Sequence, residues 1–580
     1  MRRAVIDLGS NSVRIVVYQL GPHGIQREID NLKQTVRLAD RLDADGRLKE
    51  DGVLRTIRVV RQFVQLARLH GVSREAIIGA ATYVFRAAKN GAEALRRIEA
   101  ETGVRFRLLS GEEEAYYGYL AVVHTLPVRS GATVDIGGGS TEMTLFEDGA
   151  FVAATSLPYG AVSVTRALKR DPPADKDVRR VREMLFAALA GVPWIRRARG
   201  ALVGIGGTVR AIAKIHQAQS QYPLRLLHGY TIPTSDVGWM FERLRRLSPA
   251  ERTNVEGLSR ERADIIVGGA LLLSAIVEAA ECTALIVSDK GLRDGLLLAD
   301  WAAEKRGDER MEGADPAGED REAAREIEGG GKEGRSRKNL ESERRETGRR
   351  EAERRRSESR GSDSGDPLFA SAENMIDQLG LNRRHAHHTR RLIEEMLFGL
   401  EALGLYREPP ERRRLLRAAA LLHDAGQVVN IYDASSHAFY VIAHGPLYGV
   451  THRERLLIAL VASYKSPKHM RALMQPYAAL IDEDDEAWVR LGGALLRLAR
   501  VLDRARAGEV EDVAVCASGP QSDAVKEVVF VVRTGRPPLF VVEEAEEWVK
   551  KIGKRLGVAA RLAVEVARPS EDALSSVDGR

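Results

Sequence analysis

One sequence pattern occurs twice in the first 150 residues and limits the folds that the chain can adopt. The segments Val5-Ile-Asp-Leu-Gly-Ser-Asn-Ser12 and Thr133-Val-Asp-Ile-Gly-Gly-Gly-Ser-Thr141 each read as a buried strand that ends in aspartate and enters a turn of glycines and hydroxyl residues. A further strand is predicted after each turn, at 13–20 and 142–146. Two such repeats predict two similar lobes with a site in the cleft between them.

Short β-branched runs alternate with amphipathic stretches through residues 1–303. Runs such as 4–7 and 76–80 read as strands, and stretches such as 52–70 and 91–102 read as helices. This alternation is typical of an α/β fold. In residues 367–507 the apolar residues have the spacing of amphipathic helices. Residues 508–580 read as two strands, a helix and a strand. The predicted units are a first lobe at 1–125, a second lobe at 126–303, a linker at 304–366, a helical domain at 367–507 and a small α+β domain at 508–580.

The predicted linker differs from the rest of the chain in composition. Residues 304–366 contain 17 basic and 19 acidic side chains and almost nothing apolar. Such a segment buries too little apolar surface to offset the entropy lost on ordering. We therefore expect a disordered, solvated tether between the two blocks.

Net charge is distributed unevenly over these blocks. The whole chain carries +6, but residues 1–303 have 42 basic and 34 acidic side chains, whereas residues 367–580 have 29 of each. Positive charge on the first block favours a polyanion as its partner. Because the excess does not form a basic arm, we predict that nucleic acid is not a partner.

Cysteine content and apolar runs indicate the class of protein. The only two cysteines, Cys282 and Cys516, lie far apart in 580 residues, which excludes a disulfide framework. No run approaches the ~20 apolar residues of a membrane helix. We predict a cytoplasmic protein that does not contact membranes.

The glycine-rich turns are suited to binding phosphate. Glycines let backbone N–H groups approach phosphate oxygens, hydroxyls add donors, and the preceding aspartate can hold a divalent cation or a water molecule. Gly204-Ile-Gly-Gly-Thr208 supplies a third such turn. The run Leu108-Leu-Ser-Gly-Glu-Glu-Glu-Ala115 places three carboxylates at the start of a helix, either as a helix cap or with one acid facing the cleft. Each glycine cluster alone is also typical of a tight turn.

Six segments carry a resemblance to a known family. They are Asp7-Leu-Gly-Ser-Asn-Ser12, Ala81-Thr-Tyr-Val-Phe-Arg-Ala-Ala-Lys-Asn90, Ser110-Gly-Glu-Glu-Glu-Ala115, Asp135-Ile-Gly-Gly-Gly-Ser-Thr-Glu142, Gly204-Ile-Gly-Gly-Thr208 and Gly291-Leu-Arg-Asp-Gly-Leu296. Their order and spacing resemble those of exopolyphosphatases and guanosine pentaphosphate phosphohydrolases. The resemblance implies the actin-like ATPase fold, with two ribonuclease-H-like lobes, for residues 1–303.

The resemblance also implies roles for individual residues. Glu113 resembles the base that deprotonates water, and Glu114 supports it. Asp7, Asp135 and Glu142 match positions that hold Mg²⁺, and a monovalent cation such as K⁺ is a further expected cofactor. The implied phosphate-binding residues are Asn11, Ser12, Arg86, Gly137, Gly138, Gly139, Ser140, Thr141, Gly207 and Thr208.

A second candidate site lies in the helical block. An apolar helix ends in His423 and Asp424, and His385 and Asp503 complete a set of four metal ligands. This block resembles the HD phosphohydrolase domain, which serves either as a second metal site or as a helical scaffold. Where relatives often read Arg-Tyr-His-Arg, this chain has Ser463-Tyr-Lys-Ser466.

From the resemblance we predict an exopolyphosphatase. It would use Mg²⁺ and a carboxylate-activated water to hydrolyse the terminal phosphate of inorganic polyphosphate, and we expect a homodimer. Guanosine pentaphosphate 5′-phosphohydrolase is the close rival, because the same cleft would act on a nucleotide. Two more distant functions also fit the pattern: an ATP-driven kinase or chaperone of the same fold, and a non-catalytic signalling protein that binds polyphosphate or a nucleotide.

Overall fold

The computed structural model of the chain describes residues 1–198, 201–312, 365–518, 525–538 and 540–566. The predicted linker at 304–366 lies outside the described residues except at its two ends. At its start, the helix that precedes it continues to Glu312. Among the described residues, no helix combines the length and the apolar run needed to cross a bilayer.

The first lobe contains a five-stranded sheet with the strand order β3-β2-β1-β4-β5. Its central strand is apolar on both faces, since Ala4, Val5, Ile6 and Leu8 are fully buried, and helices therefore cover both sides. The elements are β1 Arg2–Leu8, β2 Ser12–Gly21, β3 Gly24–Thr35, α1 Glu50–Leu69, β4 Ile77–Ala81, α2 Tyr83–Ala87, α3 Gly91–Thr102, β5 Phe106–Leu108 and α4 Gly111–Val123.

The second lobe contains a six-stranded sheet with the order β10-β11-β9-β6-β7-β8. Its helix α10 is buried almost all round. The elements are β6 Gly131–Ile136, β7 Thr141–Glu147, β8 Ala150–Leu157, α5 Ala161–Ala167, α6 Asp175–Leu189, β9 Leu202–Ile205, α7 Gly206–Gln219, β10 Thr231–Pro233, α8 Thr234–Leu244, α9 Pro249–Arg252, α10 Ile266–Ala280, β11 Ala284–Val287 and α11 Leu292–Glu312.

The two sheets have the same topology. In each, the repeated strand (β1 or β6) pairs antiparallel with the next strand and parallel with a later one (β4 or β9). The third strand of each lobe pairs antiparallel with the second. The predicted α/β fold of two ribonuclease-H-like lobes is therefore confirmed, and both glycine turns lie at the end of a central strand, where a parallel sheet forms a crevice.

Helix α4 lies between the two sheets. One side packs through Tyr117 against the first sheet, in a cluster that includes Leu296 and Leu297 of α11. Another side packs through Tyr119 and Val122 against the second sheet. Helix α11 thus follows the second lobe in sequence but covers the sheet of the first.

The C-terminal block is helical and ends in a three-stranded sheet, as predicted. Its helices share one core with that sheet. Strands β12 and β13 are antiparallel, and β13 and β14 are parallel. The elements are α12 Pro367–Gln378, α13 Arg383–Ala402, α14 Pro410–Leu422, α15 Ala434–His444, α16 His452–Ala462, α17 Pro467–Met474, α18 Glu483–Leu502, β12 Val510–Ala517, β13 Glu527–Thr534, α19 Val542–Leu556 and β14 Ala559–Val566.

A buried histidine connects this block to the second lobe. The Nε2–H of His452, at the start of α16, donates to the carbonyl oxygen of His228 at 3.0 Å, and the Tyr222 hydroxyl donates to His452 Nδ1 at 2.9 Å. Both ring nitrogens are therefore used by the neutral imidazole. Burial, together with the nearby Arg455 and His228, lowers the pKa of His452 to about 4.

We predict that Gly295→Ala destabilises the protein by about 2 kcal/mol or more, because a Cβ at this position would lie 1.8 Å from the carbonyl oxygen of Tyr117 on α4. Thermal unfolding measures the change. Gly238→Ala in α8 is the matched control, since its Cβ would meet no atom closer than 3.9 Å. We expect this control to be neutral or more stable by about 0.5–1 kcal/mol; equal losses in both variants would contradict the packing argument.

We also predict that stability falls as the pH decreases from about 6.5 to about 4. In this window the unfolded state binds a proton at His452 that the folded state, with its lowered pKa, does not bind. The difference in unfolding midpoint between pH 7 and pH 5 should be smaller in His452→Gln than in the unmodified chain. His444→Gln, at an exposed position of α15, should keep the full difference.

Candidate active site

A cleft of 380 Å³ lies between the two lobes and contains all three glycine-rich turns. The turn after β1 and the turn after β6 face each other, and the turn after β9 adjoins the second of them. Most of the predicted phosphate-binding residues line this cleft. They are Asn11, Ser12, Gly137, Gly138, Gly139, Ser140, Gly207 and Thr208.

Glycine is required where the third turn meets a carboxylate. Gly206 has a φ of +87°, and a Cβ there would lie 2.3 Å from Oδ1 of Asp135. At Gly207 a Cβ would overlap the guanidinium of Arg262. Because glycine has no Cβ, the backbone at Gly206 can approach the Asp135 carboxylate and the backbone at Gly207 can approach the Arg262 guanidinium. A residue with a side chain at either position would collide with these groups.

Five carboxylates of described residues line the cleft, namely those of Asp7, Glu114, Asp135, Glu142 and Asp289. Burial raises the pKa of Asp7 and Asp135, whereas His228 and Lys290, against the effect of burial, lower the pKa of Asp289. Burial and the charge of Asp135 raise the pKa of Glu142 to about 7. Burial and the charge of Glu142 raise the pKa of Glu114 to about 9, and Arg86 opposes this rise.

Glu113 does not lie in the cleft, and this placement does not fit the prediction that it is the base. Its Oε2 accepts from the backbone N–H of Ser110 at 2.8 Å, and its own N–H donates to the Ser110 hydroxyl at 3.0 Å, which completes a capping box. Its Oε1 pairs with Arg107 at 2.9 Å, and 43% of its side chain is exposed. Helix geometry turns Glu114 instead toward the cleft, on the same face as Gly118, which approaches Ile205 of the second lobe.

Two other predicted residues also lie outside the lining of the cleft. The hydroxyl of Thr141 is fully buried and donates to the carbonyl oxygen of Tyr159 at 2.7 Å. Arg86 donates to Glu114 and to the carbonyl oxygen of Leu109. Its guanidinium therefore neutralises a cleft carboxylate from behind.

Sequence reasoning missed most of the basic side chains of the cleft. Arg293 donates to Asp7 at 3.1 Å, and burial together with Arg293 and Arg210 lowers the pKa of Arg14 to about 10. Arg293 belongs to one of the six family-like segments, and Arg210 follows the third glycine turn by less than one helical turn. Their positions close to these motifs could therefore have identified both arginines from the sequence. The basic residues that line the cleft are Arg14, Lys33, Arg210, Lys214, Arg262 and Arg293.

A divalent cation fits the acidic side of the cleft. Asp135 and Glu142 are adjacent in the β6–β7 ladder, and Asp7 faces them from the other lobe. Within the described residues, no group donates a hydrogen bond to the Asp135 carboxylate. Buried, like-charged oxygen ligands of this kind suit Mg²⁺, a hard cation.

The predicted residues of the helical block also come together. His385 Nδ1–H donates to Asp503 at 2.7 Å, and His423 Nδ1–H donates to the carbonyl oxygen of Ala420 at 2.7 Å. Each ring therefore presents the lone pair of its Nε2, and the two Nε2 atoms are only 3.1 Å apart. The Asp424 carboxylate lies 3.5 Å from Nε2 of His423 and 3.8 Å from Nε2 of His385. His385, His423 and Asp424 thus form a buried group that could hold a metal ion.

Comparisons with known proteins agree with this geometry. Residues 16–304 match the Ppx/GppA phosphatase family, and residues 369–527 match domain III of Ppx/GppA phosphatases. Exopolyphosphatase 1 of Mycobacterium tuberculosis is 31% identical over 314 residues, covering 53% of this chain and 90% of that protein. Exopolyphosphatase 2 of the same organism is 30% identical over 319 residues, covering 51% and 98%. The crystal structure of the Aquifex aeolicus family member is 30% identical and covers 52% of this chain and 98% of that chain, with a TM-score of 0.47. The two family models and the mycobacterial relatives show that the chain belongs to the Ppx/GppA phosphatase family.

Proposed function

We propose that this protein is an exopolyphosphatase that hydrolyses the terminal phosphoanhydride bond of inorganic polyphosphate. The observation that carries the proposal is the composition of the cleft, where three glycine turns and six basic side chains surround the carboxylate of Glu114, whose side chain is 11% exposed. Such a cleft is suited to binding several consecutive phosphates. The names of the related mycobacterial proteins support the same substrate.

Asp7, Asp135 and Glu142 would hold Mg²⁺, which when bound neutralises charge on the transferred phosphoryl group. Arg210 and Arg293, which also line the cleft, would orient the phosphate chain and offset the charge that develops on the leaving phosphate. The backbone N–H groups of Gly138 and Gly139 would bind the non-bridging oxygens of the terminal phosphate, whereas the N–H of Gly137 donates to the carbonyl oxygen of Ser140 at 3.0 Å and shapes the turn.

Glu114 would act as the general base. Its carboxylate would accept a proton from the water that attacks the terminal phosphorus, and the bond to the bridging oxygen then breaks. Burial and the charge of Glu142 raise the pKa of Glu114 to about 9. Neutralisation of Glu142 and Asp7 by a cation would remove the like charge behind part of this rise, and Arg86 would hold the ionised form. Glu114 would therefore be ionised, and able to accept a proton, when the cation is bound.

We predict that Glu114→Gln lowers the kcat for phosphate release by about 10²–10⁴-fold, since the amide cannot accept the proton. Glu113→Gln is the matched control on the same helix turn. It should keep kcat and lose at most a few tenths of a kcal/mol of stability, because an amide oxygen can still complete the capping box and only the exposed ion pair with Arg107 is lost. Phosphate release with defined Mg²⁺ and thermal unfolding measure the two effects. Loss of turnover in Glu113→Gln with turnover retained in Glu114→Gln would overturn the assignment.

The substrate is tested in the same assay with long-chain polyphosphate, guanosine pentaphosphate and ATP in parallel. Faster turnover of guanosine pentaphosphate would replace the proposal by a nucleotide 5′-phosphohydrolase. Fast ATP turnover with inert polyphosphate would indicate a kinase-like or chaperone-like protein. Binding of polyphosphate without turnover of any substrate would indicate a signalling protein.

We further propose that His385, His423 and Asp424 bind a divalent transition metal. Two neutral imidazoles with facing lone pairs repel each other unless a cation lies between them, and burial lowers the pKa of His423 to about 3, which disfavours a proton in that position. Asp503 behind His385 is the carboxylate that typically supports a metal-ligating histidine. Arg500 and Arg506 also contact Asp424, at 3.4 and 2.9 Å, and compete with the cation for it.

We predict about one equivalent of zinc, manganese or iron in the purified full-length chain, as measured by elemental analysis. His385→Gln should lose this metal. His388→Gln, which changes a neighbouring buried histidine outside the cluster, should keep it. Absence of a stoichiometric transition metal from the unmodified protein would contradict the site and leave the helical block as a scaffold.

A further inference from the structure

One loop of the helical block reaches the catalytic lobes. This docking loop, residues 445–451, connects α15 with α16. The N–H of Gly449 donates to the carbonyl oxygen of Thr125, just after α4, at 2.9 Å. His452, the residue that follows the loop, donates to the carbonyl oxygen of His228 in the second lobe. The docking loop is therefore attached to the lobes at its middle and at its end.

Buried groups of the helical block hold the docking loop in one conformation. Arg455, on α16, is 4% exposed and donates to the carbonyl oxygen of Gly445 at 2.7 Å and to that of Leu447. The hydroxyl of Ser371, on α12, accepts from the N–H of Tyr448 at 2.9 Å. Hydrogen bonds from a charged donor are stronger than neutral ones. The side chain of Tyr448 is therefore carried on a rigid support.

Tyr448 contacts a buried ammonium of the second lobe. Lys290 is 8% exposed and lies between β11 and α11. Its Nζ is 5.8 Å from the centre of the Tyr448 ring, which is within the range of a cation–π interaction. The same Nζ donates to Oε1 of Glu28, on β3 of the first lobe, at 2.7 Å. One ammonium group thus connects the first lobe, the second lobe and the helical block.

The backbone on either side of Lys290 carries two side chains of the catalytic cleft. Asp289 and Arg293 both line the cleft. The hydroxyl of Ser288 accepts from the N–H of Lys290 at 3.1 Å and donates to its carbonyl oxygen at 2.9 Å, which closes this stretch into a tight turn. Because Lys290 lies between the two cleft residues in a constrained turn, displacement of its side chain would move both of them.

We propose that Tyr448 of the helical block is a positioning residue for the catalytic cleft and that it acts through Lys290. The ring holds the ammonium against Glu28, and the fixed ammonium holds segment 289–293 in the orientation that directs Arg293 into the cleft. The inference rests on the proposed function in one respect, because it requires Arg293 to orient the phosphate chain. The alternative is that the contact only attaches the helical block to the lobes.

The test is phosphate release by the full-length chain from long-chain polyphosphate, guanosine pentaphosphate or ATP, whichever it hydrolyses fastest. Tyr448→Leu should lower kcat/KM by about 10–100-fold, the effect of displacing a substrate-orienting group by about 1 Å. Tyr448→Phe keeps the ring and should stay within about threefold of the unmodified chain. Tyr440→Leu is the matched control, since this tyrosine of α15 is 65% exposed, and should leave kcat/KM unchanged.

A double variant tests whether Tyr448 acts through Lys290. Lys290→Met should also lower kcat/KM. Tyr448→Leu combined with Lys290→Met should match the larger of the two single losses to within about twofold, because both changes break one contact. Tyr448→Met, which fills a similar volume without a ring, replaces Tyr448→Leu if that variant does not fold. The proposal is overturned if Tyr448→Leu keeps full kcat/KM, if Tyr448→Phe or Tyr440→Leu loses as much, or if the two single losses multiply.

Amide hydrogen exchange gives a readout that does not depend on turnover. In Tyr448→Leu, exchange at residues 288–294 should become faster, whereas exchange in the buried helix α10 should stay unchanged. Unchanged exchange at 288–294 would overturn the proposal. An unmodified chain that hydrolyses none of the three substrates would overturn the proposed function alone, since the exchange result still decides whether Tyr448 positions this segment.

Discussion

The burial of helix α4 between two sheets is the constraint on which the site depends. Its N-terminal turn carries three consecutive acids, and consecutive residues on a helix point about 100° apart. Because Tyr117 is committed to the first sheet and Gly118 to the second, the rotation of the helix is fixed. This rotation directs Glu114 into the cleft and leaves Glu113 to cap the helix. Packing several residues away thus determines which carboxylate can do chemistry.

The cleft also shows why so many arginines are needed. Five carboxylates of described residues line one cleft, and burial together with repulsion between these acids raises the pKa values of Glu114 and Glu142. Arg86 and Arg293 each contact one of the acids and keep part of the charge compensated. The remaining positive groups face the space where a polyanion would lie. Acidic and basic side chains therefore share one cleft, in which an anion and a metal cation would each meet groups of opposite charge.

Much of the fold could be predicted from the sequence. The repeated strand-and-glycine pattern predicted two lobes because strand periodicity and turn chemistry are local properties, and both sheets have the same topology. The site could be predicted only in part. The spacing Ser110 to Glu113 is itself the signature of a capping box, so the role of Glu113 was readable, but the direction of Glu114 depends on distant packing. The basic residues Arg14 and Arg262 belong to no motif, and only the folded chain brings them to the cleft.

Helix α11 has a mechanical consequence. It begins beside the cleft, one residue after Gly291, lies against the sheet of the first lobe through Leu296 and Leu297, and continues to Glu312. A helix of 21 residues is roughly 31 Å long at 1.5 Å per residue. Its later turns are held by the same lobe, because Glu304 pairs with Arg3 of β1 at 2.9 Å and Lys305 donates to the carbonyl oxygen of Pro22 at 2.7 Å. The helix therefore moves with the first lobe, and the chain leaves the catalytic lobes in a direction set by the lobe that α11 covers rather than by the lobe that it follows in sequence.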